Sequence, residues 1–157
     1  MSLEHLFDAE LPYRPGLGPI ASGDGRAGTL IGSGDGTVSG RRLAGSLRWT
    51  LFEVPGELVC LMEPVAVIET ADGASIRLEA RGYARRAAMQ DRRRRVAATL
   101  RFESADERCR WLDEALGVSE GEFDADAHHA RYHAYLQTTT PPRIAGRFAF
   151  GDVLEEV

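Results

Sequence analysis

The chain has 157 residues, of which 43% are hydrophobic and 27% are charged, and its net charge is −5 at neutral pH. This length and balance indicate one soluble globular domain and exclude a disordered chain. The longest apolar stretches span only a few residues, far short of the roughly 18 that a membrane-spanning helix needs. All 19 basic residues are arginine, which excludes every mechanism that depends on a lysine.

The start of the chain and its cysteines indicate a compartment. Glu4, Asp8 and Glu10 lie where a secretory signal would be basic and then apolar, so we expect no signal peptide. Cys60 and Cys109 are far apart and have apolar neighbours, which is typical of reduced, largely buried thiols. We therefore predict a cytoplasmic protein.

A glycine-rich segment occupies residues 15–45. Within it, Gly23-Asp24-Gly25 and Gly34-Asp35-Gly36 predict turns or tight strand bends. The segment matches neither a phosphate-binding Walker loop nor a dinucleotide fingerprint. We therefore predict no cofactor.

The strongest hairpin signal lies in the middle of the chain. Asp72-Gly73 separates two apolar-rich runs, Val65–Thr70 and Ala74–Tyr83. Because both turn residues tolerate positive φ, the pair predicts a two-residue type I′ turn.

Period-two alternation continues on both sides of this hairpin. Leu47, Trp49 and Leu51 alternate with more polar residues, and so do the apolar residues of Arg95–Glu103. Seven to nine short strands with glycine-rich turns favour an all-β fold. We predict an antiparallel β-barrel, lipocalin-like in general architecture.

One segment has a helical pattern. Ser104-Ala-Asp-Glu is a capping box, Trp111 and Leu112 follow at helical spacing, and Gly117 is a plausible stop. The pattern predicts one short α-helix.

The segment Asp124–Gln137 is ambiguous and contains three of the four histidines. In a helix, His129 and His133 would share a face and could chelate zinc. In a strand, positions four apart lie roughly 13 Å from one another, too far for one ion. The strand is favoured, so no metal site is predicted.

Seven arginines lie between Arg81 and Arg95. The run is compatible with a solvated strand connector, a nucleic-acid surface, or a loop that attracts anions to a cavity mouth. The limited aromatic content and the acidic remainder of the chain favour the connector. We expect neither a nucleic-acid nor a membrane partner.

Four charged residues share the polar face of the predicted hairpin: Glu69, Arg77, Glu79 and Arg81. On a barrel exterior they would form ordinary cross-strand ion pairs. In a barrel interior, Glu69 or Glu79 becomes a candidate general base, and Arg77 or Arg81 a candidate anion stabiliser. The sequence does not choose between the two faces.

Several short motifs resemble a bacterial and fungal family known as a domain of unknown function, DUF3237. They are Gly36-Thr-Val-Ser-Gly-Arg-Arg-Leu-Ala-Gly45, Thr70–Ile76, Gly82, Arg101-Phe-Glu-Ser and Arg108-Cys-Arg-Trp-Leu112. The resemblance covers roughly residues 3–137 and implies a small barrel with an internal cavity and no established activity. It implies a single domain over 1–140 with a C-terminal extension over 141–157. It also favours a closing strand over 124–137, with His129, Arg131, His133 and Tyr135 on one face.

Three functions follow from a barrel with a cavity. The first is a cofactor-independent isomerase, cyclase or hydratase, with the charged hairpin residues as catalytic groups and Trp49 and Tyr83 as pocket walls. The closing strand adds His129, His133 and Tyr135 as ligand-binding candidates. The second is a carrier of an apolar ligand, and the third is a self-associating structural domain. The expected partners are a small organic ligand or substrate and a second copy of the chain.

Overall fold

The computed structural model describes residues 2–14, 17–20 and 28–137 of the chain. The predicted turn at Gly23-Asp24-Gly25 and the predicted C-terminal extension over 141–157 lie outside these residues. Within the described residues no helix is long and apolar enough to cross a membrane.

The described residues form one antiparallel sheet of nine strands. The strands are β1 (Leu3–Pro12), β2 (Leu17–Ile20), β3 (Thr29–Ser39), β4 (Gly45–Val54), β5 (Val59–Thr70), β6 (Ser75–Arg85), β7 (Arg93–Glu103), β8 (Gly117–Asp124) and β9 (His129–Gln137). Strand β1 pairs with β9 on one side and with β3 on the other, which closes eight strands into a barrel and leaves β2 paired to β3. The predicted all-β barrel is therefore confirmed.

Alternation decides which side chains face the interior. Along β4, Leu47, Trp49 and Leu51 are buried, while the residues between them are exposed. Along β9, Ala130 and Ala134 are fully buried between outward-facing neighbours. The interior is therefore the apolar core of the protein, as the period-two pattern predicts.

Strand β1 contains a β-bulge that alters this alternation. The pairing with β9 shifts between His5 and Phe7, so that Leu6 and Phe7 are both buried. As a result His5 and Asp8 both face outward, although residues three apart in a regular strand face opposite sides.

Gly34-Asp35-Gly36 lies inside β3, which excludes a turn between strands there and is compatible with the predicted alternative, a bend within a strand. Gly34 is opposite Trp49 in the neighbouring strand. A Cβ atom at Gly34 would lie 2.4 Å from the carbonyl oxygen of Pro12 and 2.8 Å from the Trp49 ring. Glycine thus makes room for an indole and for the end of β1 where the barrel closes.

The hairpin between β5 and β6 is confirmed, but its predicted type I′ turn is not. Gly73 has a φ of +88°, whereas Asp72 has negative φ. The amide of Thr70 donates to the carbonyl of Ala74 at 2.9 Å, and that of Gly73 to Thr70 at 3.0 Å. Residues 71–73 therefore form a three-residue loop, in which Gly73 adopts the left-handed backbone conformation.

The predicted α-helix is a 3₁₀ helix over Glu107–Leu112. Its N-cap is Asp106, which accepts a hydrogen bond from the amide of Arg108 at 2.9 Å. Ser104 precedes the cap by two residues; its hydroxyl donates to the carbonyl of Ser75 at 2.8 Å and accepts from the amide of Asp106 at 3.2 Å. The short helix covers one end of the barrel, the capped end, where Leu112 is fully buried.

Candidate functional site

A small cavity lies inside the barrel. Its volume is about 70 Å³, and nearly all of its lining is apolar. Four lining residues carry a polar atom: Tyr13, Trp49, Ser119 and Tyr132. The interior therefore suits an apolar group that meets a small number of hydrogen-bonding atoms.

Trp49 supplies one of these atoms. Its side chain is buried, and the indole Nε1 has no hydrogen-bond partner among the described residues. The Tyr13 ring packs against it with ring centroids 4.3 Å apart. Because buried donors are normally satisfied, this unpartnered N–H is an exception within the described part of the chain.

A charged pair lies at the end of the barrel opposite the 3₁₀ helix. The Arg94 guanidinium contacts the Glu53 carboxylate at 2.8 Å, and the two side chains are 23% and 16% exposed, which makes them the most buried ion pair in the described part of the chain. Arg94 also donates to the Cys60 thiol at 2.6 Å. Since β4 and β7 are not neighbours in the sheet, the pair reaches across the barrel opening.

Two tyrosines lie between this pair and the cavity. The hydroxyl groups of Tyr13 and Tyr132 are 3.3 Å apart. Burial raises the pKa of both phenols, most strongly that of Tyr13, and the charge of Glu53 raises both further. The phenols are therefore neutral at physiological pH and can donate hydrogen bonds.

A hollow of about 200 Å³ lies at this open end of the barrel. It shares Tyr13, Leu51, Met62 and Tyr132 with the interior cavity, so the two spaces meet at the tyrosine pair. Glu53 and Arg94 also line it. We call this hollow, with the tyrosine pair and the ion pair, the mouth.

The structure places the four predicted catalytic residues on the barrel exterior. Arg77 pairs with Glu79 and, at 2.9 Å, with Glu103. Arg81 pairs with Glu63 at 2.8 Å, and Glu69 is exposed. The suggested roles as base and anion stabiliser assumed an interior position; on the exterior, Arg77 and Arg81 form cross-strand ion pairs with Glu103 and Glu63.

The predicted ligand-binding residues also separate into two groups. Trp49 lines the cavity, whereas Tyr83 is 58% exposed on the outer surface. His129, His133 and Tyr135 face outward along β9. Within the predicted strand over 124–137, residues 125–128 form a turn and His129–Gln137 form the strand, so His129 and His133 lie too far apart to ligate one ion together.

The arginine run is mostly neutralised by nearby acids. Arg92 pairs with Asp126 at 2.9 Å, and Arg93 pairs with Asp124 at 3.2 Å. Arg94 differs from these because it turns into the mouth. The run therefore contributes one interior-facing charge, while Arg81, Arg92 and Arg93 form surface ion pairs.

Sequence reasoning missed Glu53, Arg94, Tyr13 and Tyr132. A usable signal exists for the first two: Glu53 extends the inward series of Leu47, Trp49 and Leu51, and Arg94 precedes the inward series of β7. A charged residue one step beyond an apolar series marks the point where the interior opens to solvent.

The barrel is shared with several solved structures. A protein of unknown function from Clostridium acetobutylicum ATCC 824 has a TM-score of 0.76 at 16% identity, over 87% of this chain and 99% of that one. A β-barrel-like protein from Acinetobacter baumannii AYE has a TM-score of 0.70 at 20% identity, over 86% and 94%. An enzyme from Penicillium herquei has a TM-score of 0.61 at 19% identity, over 87% and 94%.

At these identities the likeness concerns the fold alone. No curated protein matches the chain. The model of one family, described as "Protein of unknown function (DUF3237)", matches residues 1–136. The chain is therefore a member of the DUF3237 family.

Proposed function

We propose that the barrel binds a small, largely apolar organic molecule through its mouth. The apolar part occupies the cavity, and a hydroxyl or carbonyl group lies at Tyr13 and Tyr132. The observation that carries the proposal is an interior lined by apolar side chains that continues, within the described part of the chain, into a hollow where Glu53, Arg94 and the two tyrosine hydroxyls add polar groups. Ligand sites commonly combine an apolar pocket with a few placed polar groups.

The size of the two spaces supports a ligand that bridges them. The interior alone holds about 70 Å³, whereas benzene is bound by an engineered apolar cavity of about 150 Å³. An aromatic ring therefore needs both the cavity and part of the mouth. The ligand then contacts Tyr13 and Tyr132, which line both spaces.

The charges at the mouth support a neutral ligand. Glu53 and Arg94 compensate one another at 2.8 Å, so neither offers an uncompensated charge. The tyrosine hydroxyls and the Trp49 indole N–H are neutral donors. A carbonyl or hydroxyl oxygen matches them better than a carboxylate or an amine.

Binding is tested with naphthol, a neutral aromatic alcohol. Trp111→Phe leaves Trp49 as the single tryptophan, because the chain has 2. We expect naphthol to quench Trp49 fluorescence saturably in this background. Ala98→Leu, which fills the cavity, should weaken binding about tenfold or more, a loss of roughly 1.4 kcal/mol.

The matched control is Ala97→Leu, one residue away on the exposed outer face of β7. Its affinity for naphthol should equal that of the parent. Unsaturable quenching in the parent, or equal losses in the two leucine variants, would contradict the proposal.

A second candidate is catalysis at the same site. It is favoured by one observation: the Glu53 carboxylate lines the same hollow as Tyr13 and Tyr132, whose hydroxyl groups are 3.3 Å apart. A carboxylate base beside phenolic acids suffices for isomerisation, cyclisation or hydration without a cofactor. The structural likeness to an enzyme from Penicillium herquei is compatible with this candidate.

Turnover is tested by incubating the protein with a mixture of small aromatic alcohols and ketones. Products of unchanged mass but new retention time, or of mass increased by one water, would support catalysis if Glu53→Gln abolishes them. Glu53→Gln keeps the shape of the side chain, so it should still bind naphthol. Absence of any product with the parent protein would leave binding without turnover.

A further inference from the structure

Three potential metal ligands converge on the outer surface of the barrel, away from the cavity. The Nε2 atom of His5 and the Nδ1 atom of His133 each lie 2.7 Å from the same oxygen, Oδ1 of Asp8. One ligand atom from each of the three residues lies within 4.8 Å of the others. The residues come from β1 and β9, the first and last strands of the barrel.

The β1 bulge is what brings these side chains together. It turns both His5 and Asp8 outward on one strand. Across the seam, Asp8 is opposite His133, and His5 is opposite Tyr135. The edge of the Tyr135 ring contacts the His5 ring, with centroids 5.8 Å apart, and this contact restricts the orientation of the imidazole.

We propose that His5, Asp8 and His133 form a binding site for a divalent transition-metal ion of the zinc class. Two imidazoles and one carboxylate are a donor set that Zn²⁺ favours, whereas Mg²⁺ and Ca²⁺ favour oxygen ligands alone. The ion would lie among the three ligand atoms after a small rotation of the Asp8 carboxylate. Three protein ligands leave a further position for water, because all three side chains are about half exposed.

A third histidine on the same face, His129, provides an internal comparison. The Nε2 atom of His129 contacts Glu10 at 2.9 Å. There is one imidazole at that position, and Arg131 contacts the same carboxylate at 3.1 Å. A guanidinium beside the carboxylate repels a cation, so His129 is not expected to bind one.

The test is calorimetric titration of the full, tag-free chain with Zn²⁺. We expect one ion per chain for the parent protein and for His129→Gln. Affinity should fall about tenfold or more in His5→Gln and in His133→Gln, because each removes one ligand. Far-ultraviolet circular dichroism without metal should be the same for all four proteins, which separates lost ligation from lost folding.

Two further readouts distinguish this site from weak surface binding. Co²⁺ should give a visible d–d band in the parent and in His129→Gln, but not in His5→Gln. Zn²⁺ should raise the melting temperature of the parent, because the ion joins the first strand to the last in the folded state only. The proposal is overturned if the parent binds no Zn²⁺ saturably, or if His129→Gln loses as much affinity as His133→Gln.

Discussion

The two ends of the barrel carry different kinds of side chain. At the capped end the 3₁₀ helix places Leu112 and Cys109 over the core, with exposures of 0% and 8%. At the mouth the inward series of β4 and β7 end instead in Glu53 and Arg94. A barrel can exclude water with apolar residues at both ends, so the polar end is the one that indicates a site.

The position of the polar contacts also differs between the two ends. At the capped end Arg108 contacts Asp72 at 2.8 Å and Asp106 at 2.6 Å, and these groups lie outside the core. At the mouth the polar groups line a hollow that continues into the core. We therefore expect substitutions at the capped end to change stability alone and those at the mouth to change ligand binding as well.

The largest effect is expected at the capped end. Leu112→Ala removes a fully buried side chain and should lower the free energy of unfolding by about 2–5 kcal/mol. Leu116→Ala is the control, since Leu116 is 53% exposed, and should change it by less than about 0.5 kcal/mol. Urea denaturation measures both. A small loss for Leu112→Ala would show that the helix does not seal the core.

The next effect is expected at the mouth. Arg94→Met leaves the largely buried Glu53 carboxylate without its partner and should cost about 1–3 kcal/mol, because removing one partner exposes the desolvation cost of the other. The double variant with Glu53→Gln should lose less than the sum of the two single losses. If the loss of stability in the double variant equals the sum of the two single losses, a direct interaction across the opening is contradicted.

Arg94→Met should also alter naphthol binding, whereas Leu112→Ala should leave the affinity of the folded protein unchanged. Fluorescence titration at a temperature where both variants are folded measures this. If both variants lose affinity equally, the division between a stability end and a binding end is wrong.

A smaller effect is expected at the hairpin of the capped end. Gly73 has a φ of +88°, and a Cβ atom there would meet nothing within 4 Å. Gly73→Val should cost about 1–2 kcal/mol through backbone strain alone. Gly73→Asn should cost less, because asparagine tolerates the left-handed region. If the two variants lose equal stability, packing and not backbone strain explains the loss.

The sequence predicted the barrel because strand alternation is a local pattern that repeats along the chain. It predicted Ser104 as the helix cap, whereas Asp106 caps the 3₁₀ helix and the Ser104 hydroxyl donates to the carbonyl of Ser75 in β6. It left the face of Glu69 and Arg77 open, because a period of two defines two faces without saying which is inside.

The candidate site was harder to predict for a physical reason. Glu53 and Arg94 lie on strands that do not pair, and their contact crosses the barrel opening. The convergence of His5 with Asp8 likewise depends on a bulge at Leu6. Such contacts follow from the closure and register of the whole sheet, so a local pattern can place Glu53 and Arg94 beyond the inward series of their strands without showing that they meet.

The smallest expected effect is on stability at acidic pH, and it again distinguishes the capped end from the mouth. The Arg108 guanidinium, together with the Arg108 backbone amide, lowers the pKa of Asp106 to about 2 from the usual 3.8. A lowered carboxyl pKa stabilises the folded state above the unfolded value, and this stabilisation is lost as pH falls from about 3.8 towards about 2. Asp106→Asn should therefore show a shallower loss of melting temperature over this range than the parent protein does. Naphthol affinity at neutral pH should be unchanged, because Asp106 caps the helix at the end opposite the mouth; an unchanged acid slope in the variant would mean that other carboxylates govern acid unfolding.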